Sequence, residues 1–295
     1  LGGTPPALDT VGHELARHGV TGVTDMSPGN DGASLRYFAA ERAAGRLPQH
    51  LVAAGTLALG DSAPPPGIAV GPAKLHLHEN ALPDFDQCVA FLRAAHDQGR
   101  AIASHCTTET ELVFTLAALA QAGARPGDRI EHAGITPDAL LEQMVELGVQ
   151  VVSQPHFIAE RGDQYLRDVE PRERPLLYRL GAFARAGLVL AAGSDAPYGV
   201  ADPWAAMRAA VSRETRSGAV IGQDEALTPE AALALYLADP LDLRRQRAVA
   251  VGAPADLCLL DRPWAQARNR LRADDVAMTW IGGSIVHDDI DQTPA

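Results

Sequence analysis

Cysteine is scarce in this sequence: Cys88, Cys106 and Cys258 are the three in 295 residues, with no CxxC spacing among them. A disulfide framework is excluded on that count, and reduced thiols in a cytoplasmic enzyme are the expectation. Aromatic residues amount to 5%. No apolar run approaches the ~20 residues of a membrane-spanning helix; "GLVLAAG" at 187–193, among the longest, is strand-sized. A basic stretch leading into an apolar one, the form of a secretory leader, is not seen. Positive charge is in deficit too. The 25 Lys and Arg against 37 Asp and Glu give a net charge of −12, which argues against nucleic acid as a partner. The acidic residues are scattered, as on a solvated surface, and not gathered into a tail.

What is present is an ordinary hydrophobic content of 46%, enough for a sizeable core. Short apolar and β-branched runs alternate with longer amphipathic stretches, the pattern of βα units. Strands are expected near 19–26, 50–57, 71–77, 100–106, 129–134, 149–155 and 187–195. Helices are expected over 33–44, 83–98, 108–123, 136–147, 175–186, 203–216 and 228–238, and an earlier one over 7–18. Pro83-Asp84 and Gly99 bracket one of them, and "TPEAA" opens another with a threonine cap and a proline at the first turn. Past about residue 247 the texture changes to "AVAVGAPADLCLLDRP" and "VAMTWIGGSIVHDD", strand-like, with Gly282-Gly283 as a hairpin turn.

The fold class read from this is α/β. It is an incomplete (β/α)8 barrel with about seven strands, spanning residues 1–247, followed by a small C-terminal β portion over 248–295. A doubly wound open sheet is the rival, but its glycine-rich phosphate turn does not follow the first strand. Polar residues also mark the C-terminal ends of many different strands, which suits a barrel mouth.

One stretch raises a specific question. "GPAKLHLHEN", residues 71–80, aims Lys74, His76 and His78 at one side of a strand by its period of two. A buried ammonium is costly unless paired, metal-associated or neutralised. Further strand ends offer His105 in "ASHCTTE", His132 in "RIEHAG", His156 after "VVSQP" and Asp195 in "AAGSDAP". Two imidazoles, a carboxylate and a modifiable amine suit zinc or a similar divalent ion. Each residue has a plainer reading. A lone histidine at a strand end is more often structural, Asp195 could cap a helix, and Lys74 could reach solvent. Taken together, His105, His132 and Asp195 on separate strands are hard to explain by core packing alone.

The order of strand lysine, "SHC", "IEHAG" and "GSDAP" resembles the amidohydrolase superfamily of metal-dependent hydrolases. More narrowly, it resembles the branch containing N-substituted formamide deformylase-like proteins. "ARHGVTGVTDMSPGND", "TPEAALALYLADP" and "VGAPADLCLLDRPW" extend the likeness over essentially the whole sequence. The resemblance implies that Lys74 is the strand lysine that becomes an N-carboxylated bridge between two metals. It implies that His105 and His132 are metal ligands, and that Asp195 binds metal and takes the proton of the attacking water. The family's His-x-His pair on its first strand is not found upstream of Val20. Together with the opening at Leu1, this sets the expectation that an N-terminal part is missing.

The implied activity is hydrolysis of a carbon–nitrogen bond other than a peptide bond, in an amide, formamide or cyclic amide. One or two divalent ions, zinc first, would activate the water. Cys106, His156 and Arg161 are the candidates for substrate contact, Arg161 being read on a flexible "AERGDQY" loop. The expected partner is a small-molecule substrate, and barrels of this kind often associate as homo-oligomers. The alternatives are a single-metal heterocycle deaminase and a catalytically inert fragment lacking the His-x-His ligands.

Overall fold

The computed structural model describes residues 5–290; the outer ends of the two expected domains, 1–4 and 291–295, lie outside the described residues. From the amino end run α1 (Asp9–Arg17), β1 (Gly22–Asp25), α2 (Gly32–Ala43), β2 (His50–Gly55), α3 (Leu57–Gly60) and β3 (Ile68–Leu75). Next come α4 (Phe85–Asp97), β4 (Ile102–Cys106), α5 (Glu109–Ala122), β5 (Arg129–His132), α6 (Asp138–Leu147) and β6 (Gln150–Ser153). They are followed by α7 (His156–Asp168), α8 (Leu180–Arg185), β7 (Leu190–Ala192), α9 (Pro203–Ser212) and α10 (Pro229–Leu237). A short hairpin, β8 (Ala238–Asp239) and β9 (Asp242–Gln246), precedes β10 (Leu257–Leu260), α11 (Trp264–Ala267), β11 (Val276–Ile281) and β12 (Ser284–Asp288). Seven parallel strands, β1 to β7, alternate with helices as an incomplete (β/α)8 barrel, and small antiparallel sheets follow.

By compactness the described residues form two units, 5–71 with 248–290 and 72–247. In the first, β1 and β2 pair in parallel, and β11 is the middle strand of an antiparallel sheet with β10 and β12. Leu35, Phe38, Leu51, Ala53, Leu59 and Ile68 form a buried cluster there. Asp31 caps α2, its carboxylate accepting from the backbone N–H groups of Ala33 and Ser34. The Gly282-Gly283 turn has φ of 56° and 82°, a backbone that favours glycine at both central positions of a two-residue hairpin loop.

The second unit carries β4 to β7, paired in sequence order and in parallel, with the end of β3 alongside β4. Asp84 caps α4 and Gly99 follows it at φ 71°, while Thr228 caps α10 ahead of Pro229. Three readings of the sequence need correcting. "AERGDQY" is not a loop but the middle of α7. Its Gly162 looks like a breaker and is instead a close-approach site, since a Cβ there would lie 2.5 Å from Thr215 Cγ2. The helix expected over 175–186 contracts to α8, because Tyr178 turns the chain through φ 47°. Within "AVAVGAPADLCLLDRP" only Leu257–Leu260 are strand.

Tyr178 is held by a fully buried arginine. Arg213 Nη1 donates to Tyr178 O, Nη2 to Leu177 O and Nε to Ile221 O, each at 2.9 Å. Arg213→Met would leave three carbonyls without these donors. We expect a loss of about 3 kcal/mol or more in urea unfolding, in the range for breaking a buried polar network.

Candidate active site

Strand register sorts the candidates before any side-chain detail is considered. Across β3, β4, β5 and β6, Lys74 pairs with Ala103, Ala103 with Arg129, and Arg129 with Gln150. One pleat further, His105 pairs with Glu131, Glu131 with Val152, and Val152 with Ala191 on β7. Paired residues in a sheet share a face, so Lys74, His105, Arg129 and Glu131 project to the same side. By the same rule His132, paired with Cys106, should face away. It does not. His132 has φ 72° and Ala133 φ 50°, and this left-handed turn ends the alternation. The His132 ring lies 4.5 Å from that of His105, centroid to centroid. Ser153 Oγ, donating to His132 O at 2.9 Å, holds the turn from β6.

Strand β3 stops at Leu75, so His76 and His78 lie just beyond it, and both are exposed. Their rings still gather on the same centre: His76 is 4.8 Å from His105 and 4.6 Å from His78. Glu111 organises the turns around them. Its carboxylate accepts from Thr107 N at 2.7 Å, Thr107 Oγ1 at 3.0 Å and Thr108 N at 3.2 Å, and its other oxygen accepts from Glu79 N at 3.2 Å. Thr108 and Glu111 form a capping box on α5. The Thr-x-x-Glu spacing was a legible signal for this role.

The electrostatics are those of a desolvated pocket. Lys74 is 8% exposed, and burial lowers its pKa; the Glu131 carboxylate opposes this, Arg129 adds to it, and Asp195 again opposes. Arg129 Nε and Glu131 Oε1 form a buried ion pair at 2.7 Å. Burial, followed by the charge on Lys74, pulls His105 down to about 4. Burial, followed by His105 and Lys74, pulls His132 down to about 3. Burial raises the carboxyl pKa of Asp195, with Lys74 the leading opposing influence.

Asp195 lies three residues past the end of β7, at φ 52°. It caps no helix; Asp202 caps α9 by accepting from Trp204 N. His156 is buried on the first turn of α7 and donates from Nε2 to Ser194 O at 3.0 Å. Arg161 lies on α7, its guanidinium 4.1 Å from the centroid of the Phe157 ring. Cys106 does not join the site. It is buried, its Sγ is 3.2 Å from Thr115 Oγ1, and burial pushes its thiol up to about 12. Period-two alternation next to His105 is the reason.

A groove of about 530 Å³ opens at the ends of β3, β4 and β5, lined by Glu79, Thr108, Glu109, Thr110, Val113, Ile135 and Glu173. None of the four candidate ligands lines it. The site suits a divalent ion in the kind of donors it offers. His105 and His132 are neutral imidazoles, the form that ligates. His132 Nδ1 is buried with no hydrogen-bond partner, which leaves its lone pair open to a donor or a metal ion. The set is not closed, however: among the described residues no three His, Cys, Asp or Glu side chains stand grouped to hold an ion.

The profile of the amidohydrolase family matches residues 6–287. The chain is 31% identical over 161 residues to N-substituted formamide deformylase of Arthrobacter pascens, covering 52% of this chain and 30% of that protein. It is 24% identical over 207 residues to the putative amidohydrolase YtcJ of Bacillus subtilis (strain 168), covering 67% and 39% respectively. It therefore spans less than half the length of these curated relatives. An uncharacterized metal-dependent hydrolase from Pyrococcus furiosus superposes with a TM-score of 0.65 at 25% identity, over 77% of this chain and 53% of that one. A triazine hydrolase variant superposes at TM-score 0.67 over 96% and 73%, but at 15% identity it shares the fold alone.

Burial depresses four imidazoles, those of His76, His105, His132 and His156, and the large shifts of His105 and His132 set a pH dependence. Below the ordinary histidine value of 6.5 the unfolded chain takes up protons that folded His105 and His132 refuse down to about 4 and 3. Their contribution to stability is whole above 6.5 and falls away as the pH drops through that window. Chemical denaturation of metal-free protein should show the midpoint falling with acid. A double variant, His105→Gln with His132→Gln, should flatten the curve. The raised carboxyl of Asp195 acts in the opposite sense, and this variant leaves it in place.

Proposed function

This chain belongs to the amidohydrolase family, and we propose that it acts as a metal-dependent hydrolase on carbon–nitrogen bonds other than peptide bonds. The observation that supports the reading is the His105 and His132 rings 4.5 Å apart, with Lys74 buried on the same face of the sheet and Asp195 within its electrostatic reach. Core packing gives no reason to collect these four types there. Lys74, His105, His132 and Asp195 would hold the ion or ions, with zinc the first to try. A bound ion of this kind supplies water with a pKa of roughly 7.

The protein's own groups do the rest. Burial favours the neutral amine of Lys74, the form that takes up carbon dioxide to become a carbamate. That conversion would turn a costly buried cation into an anionic oxygen donor. Asp195 accepts the proton of the attacking water and returns it to the leaving nitrogen. Its raised carboxyl pKa brings it closer to neutrality, where a base can also serve as an acid. The neutral imidazole of His132 is the candidate for polarising the scissile carbonyl. The substrate is a small amide, formamide or cyclic amide, and the 31% identity with a formamide deformylase supports formamides as the first to assay.

The test is turnover of these three substrate classes after incubation with zinc or manganese and bicarbonate, with metal content measured on the same sample. Two ions per chain would support the lysine bridge, and one would point to a deaminase-like site. Asp195→Asn should lower kcat by roughly 10²–10⁴, the range for loss of a general base. Full activity in that variant, or no turnover in any class, would overturn the proposal.

A further inference from the structure

Helix α7 touches the Asp195 loop at three points, all from its first two turns. His156 Nε2 donates to Ser194 O at 3.0 Å. Arg161 Nη2 donates to Tyr198 O. Glu160 Oε1 accepts from Val200 N at 3.2 Å. His156 and Glu160, at positions i and i+4, share a face of the helix, and Arg161, one residue further, reaches the loop from about 100° round the axis. The loop they meet is not at rest by itself. Asp195 sits at φ 52°, a left-handed backbone that is unfavourable for a non-glycine residue and must be held by its surroundings. Tyr198 N donates back to Asp195 O at 2.8 Å, so the carbonyl that Arg161 holds belongs to the residue that closes the turn.

The fit is tight on the far side as well. A Cβ at Gly199 would lie 2.3 Å from His156 Nε2 and 2.6 Å from Ser194 O. The loop backbone thus presses directly on the imidazole that holds it. His156 is 1% exposed and its donor nitrogen is already committed, so it has no free face for a substrate. Arg161, stacked on Phe157 and bonded to Tyr198 O, is likewise engaged with protein.

We propose that α7 is a positioning clamp for Asp195, and that His156, Glu160 and Arg161 act on the reaction through the loop they hold and do not bind substrate. The catalytic part of this inference rests on Asp195 being the general base; the clamp itself does not. Removing one tie leaves the left-handed turn free to relax and moves the carboxylate off its geometry. A displacement of this size lowers kcat and leaves substrate affinity alone.

The experiment compares His156→Leu, His156→Gln and Arg161→Met with the parent chain, by amide hydrogen exchange and by kinetics on whichever substrate turns over. Glutamine can place an amide N–H near the Nε2 position, so it should restore what leucine loses. In His156→Leu and Arg161→Met, exchange at Tyr198 and Val200 should speed up about tenfold or more, as for a loop whose local opening has become easier. Amides of β4 and β5 should keep their parent rates, and His156→Gln should lie within about threefold of the parent. Where there is turnover, kcat should fall at constant KM. Unchanged exchange at 198 and 200, exchange rising equally in β4 and β5, or KM rising at constant kcat would each overturn the clamp. Should His156→Leu fail to fold, Arg161→Met on the half-exposed side carries the same comparison. If no substrate turns over, the reading of Asp195 as base fails while the exchange data still decide the clamp.

Discussion

Lys74 is the constraint to which the rest of the site responds. An ammonium at 8% exposure loses most of its hydration, and hydrocarbon neighbours return none of it. The structure answers with charge. Glu131 lies closest in effect, itself engaged by Arg129, and Asp195 adds a second carboxylate. Two acids and two bases thus act on one another here, three of them buried and Asp195 partly exposed. Such a group is coupled: each proton taken or lost changes the others. The imidazoles of His105 and His132 stay neutral partly because Lys74 is charged nearby. Neutralising the lysine would make both rings more basic and thus stronger ligands. A change at one amine therefore retunes the whole centre.

Parallel register makes this grouping possible at low cost in chain. Rows of paired residues run across β3, β4, β5 and β6, so a lysine, a histidine and a glutamate from three segments become neighbours without any long loop. The strand ends then depart from regularity in a directed way. Six non-glycine residues among those described have positive φ, and His132 and Asp195 are two of them. Left-handed turns at these points aim side chains where alternation would not. Backbone strain of this kind tends to collect where a function requires it, and it must be held by surrounding contacts. Ser153 holds the first turn and α7 the second.

Much of this could be read from the sequence, and the limits have physical causes. The seven strands and most helices follow from hydrophobic period, and several caps from single residues such as Asp84 and Thr228. Lys74, His105, His132 and Asp195 stood out because polar groups at strand ends are anomalous. The direction of His132 could not be read: its place in β5 puts it with Cys106, and only a backbone torsion says otherwise. Cys106 could have been excluded, since adjacent strand residues face opposite ways. Helix α7 was hidden by Arg-Gly-Asp, which looks like a turn when the tertiary contact to Thr215 is unknown. With the helix hidden, His156 and Arg161 looked like groups on a loop, free to meet a substrate.

The four central residues are not held alike, and the difference explains where extra structure is spent. Lys74, His105 and His132 belong to strands, where each is paired on at least one side: Lys74 with Ala103, His105 with Glu131 and His132 with Cys106. A shift in any of them would break paired hydrogen bonds. Asp195 has no such support, because β7 ends at Ala192 and the residue follows on an irregular segment. A carboxylate that must meet a proton within hydrogen-bond reach tolerates little wandering. The sheet cannot supply that precision past its own last residue. Side chains from α7 can, and this helix begins just after β6, the strand beside β7. The same parallel order that gathers the pocket thus also delivers the group that steadies its least anchored member.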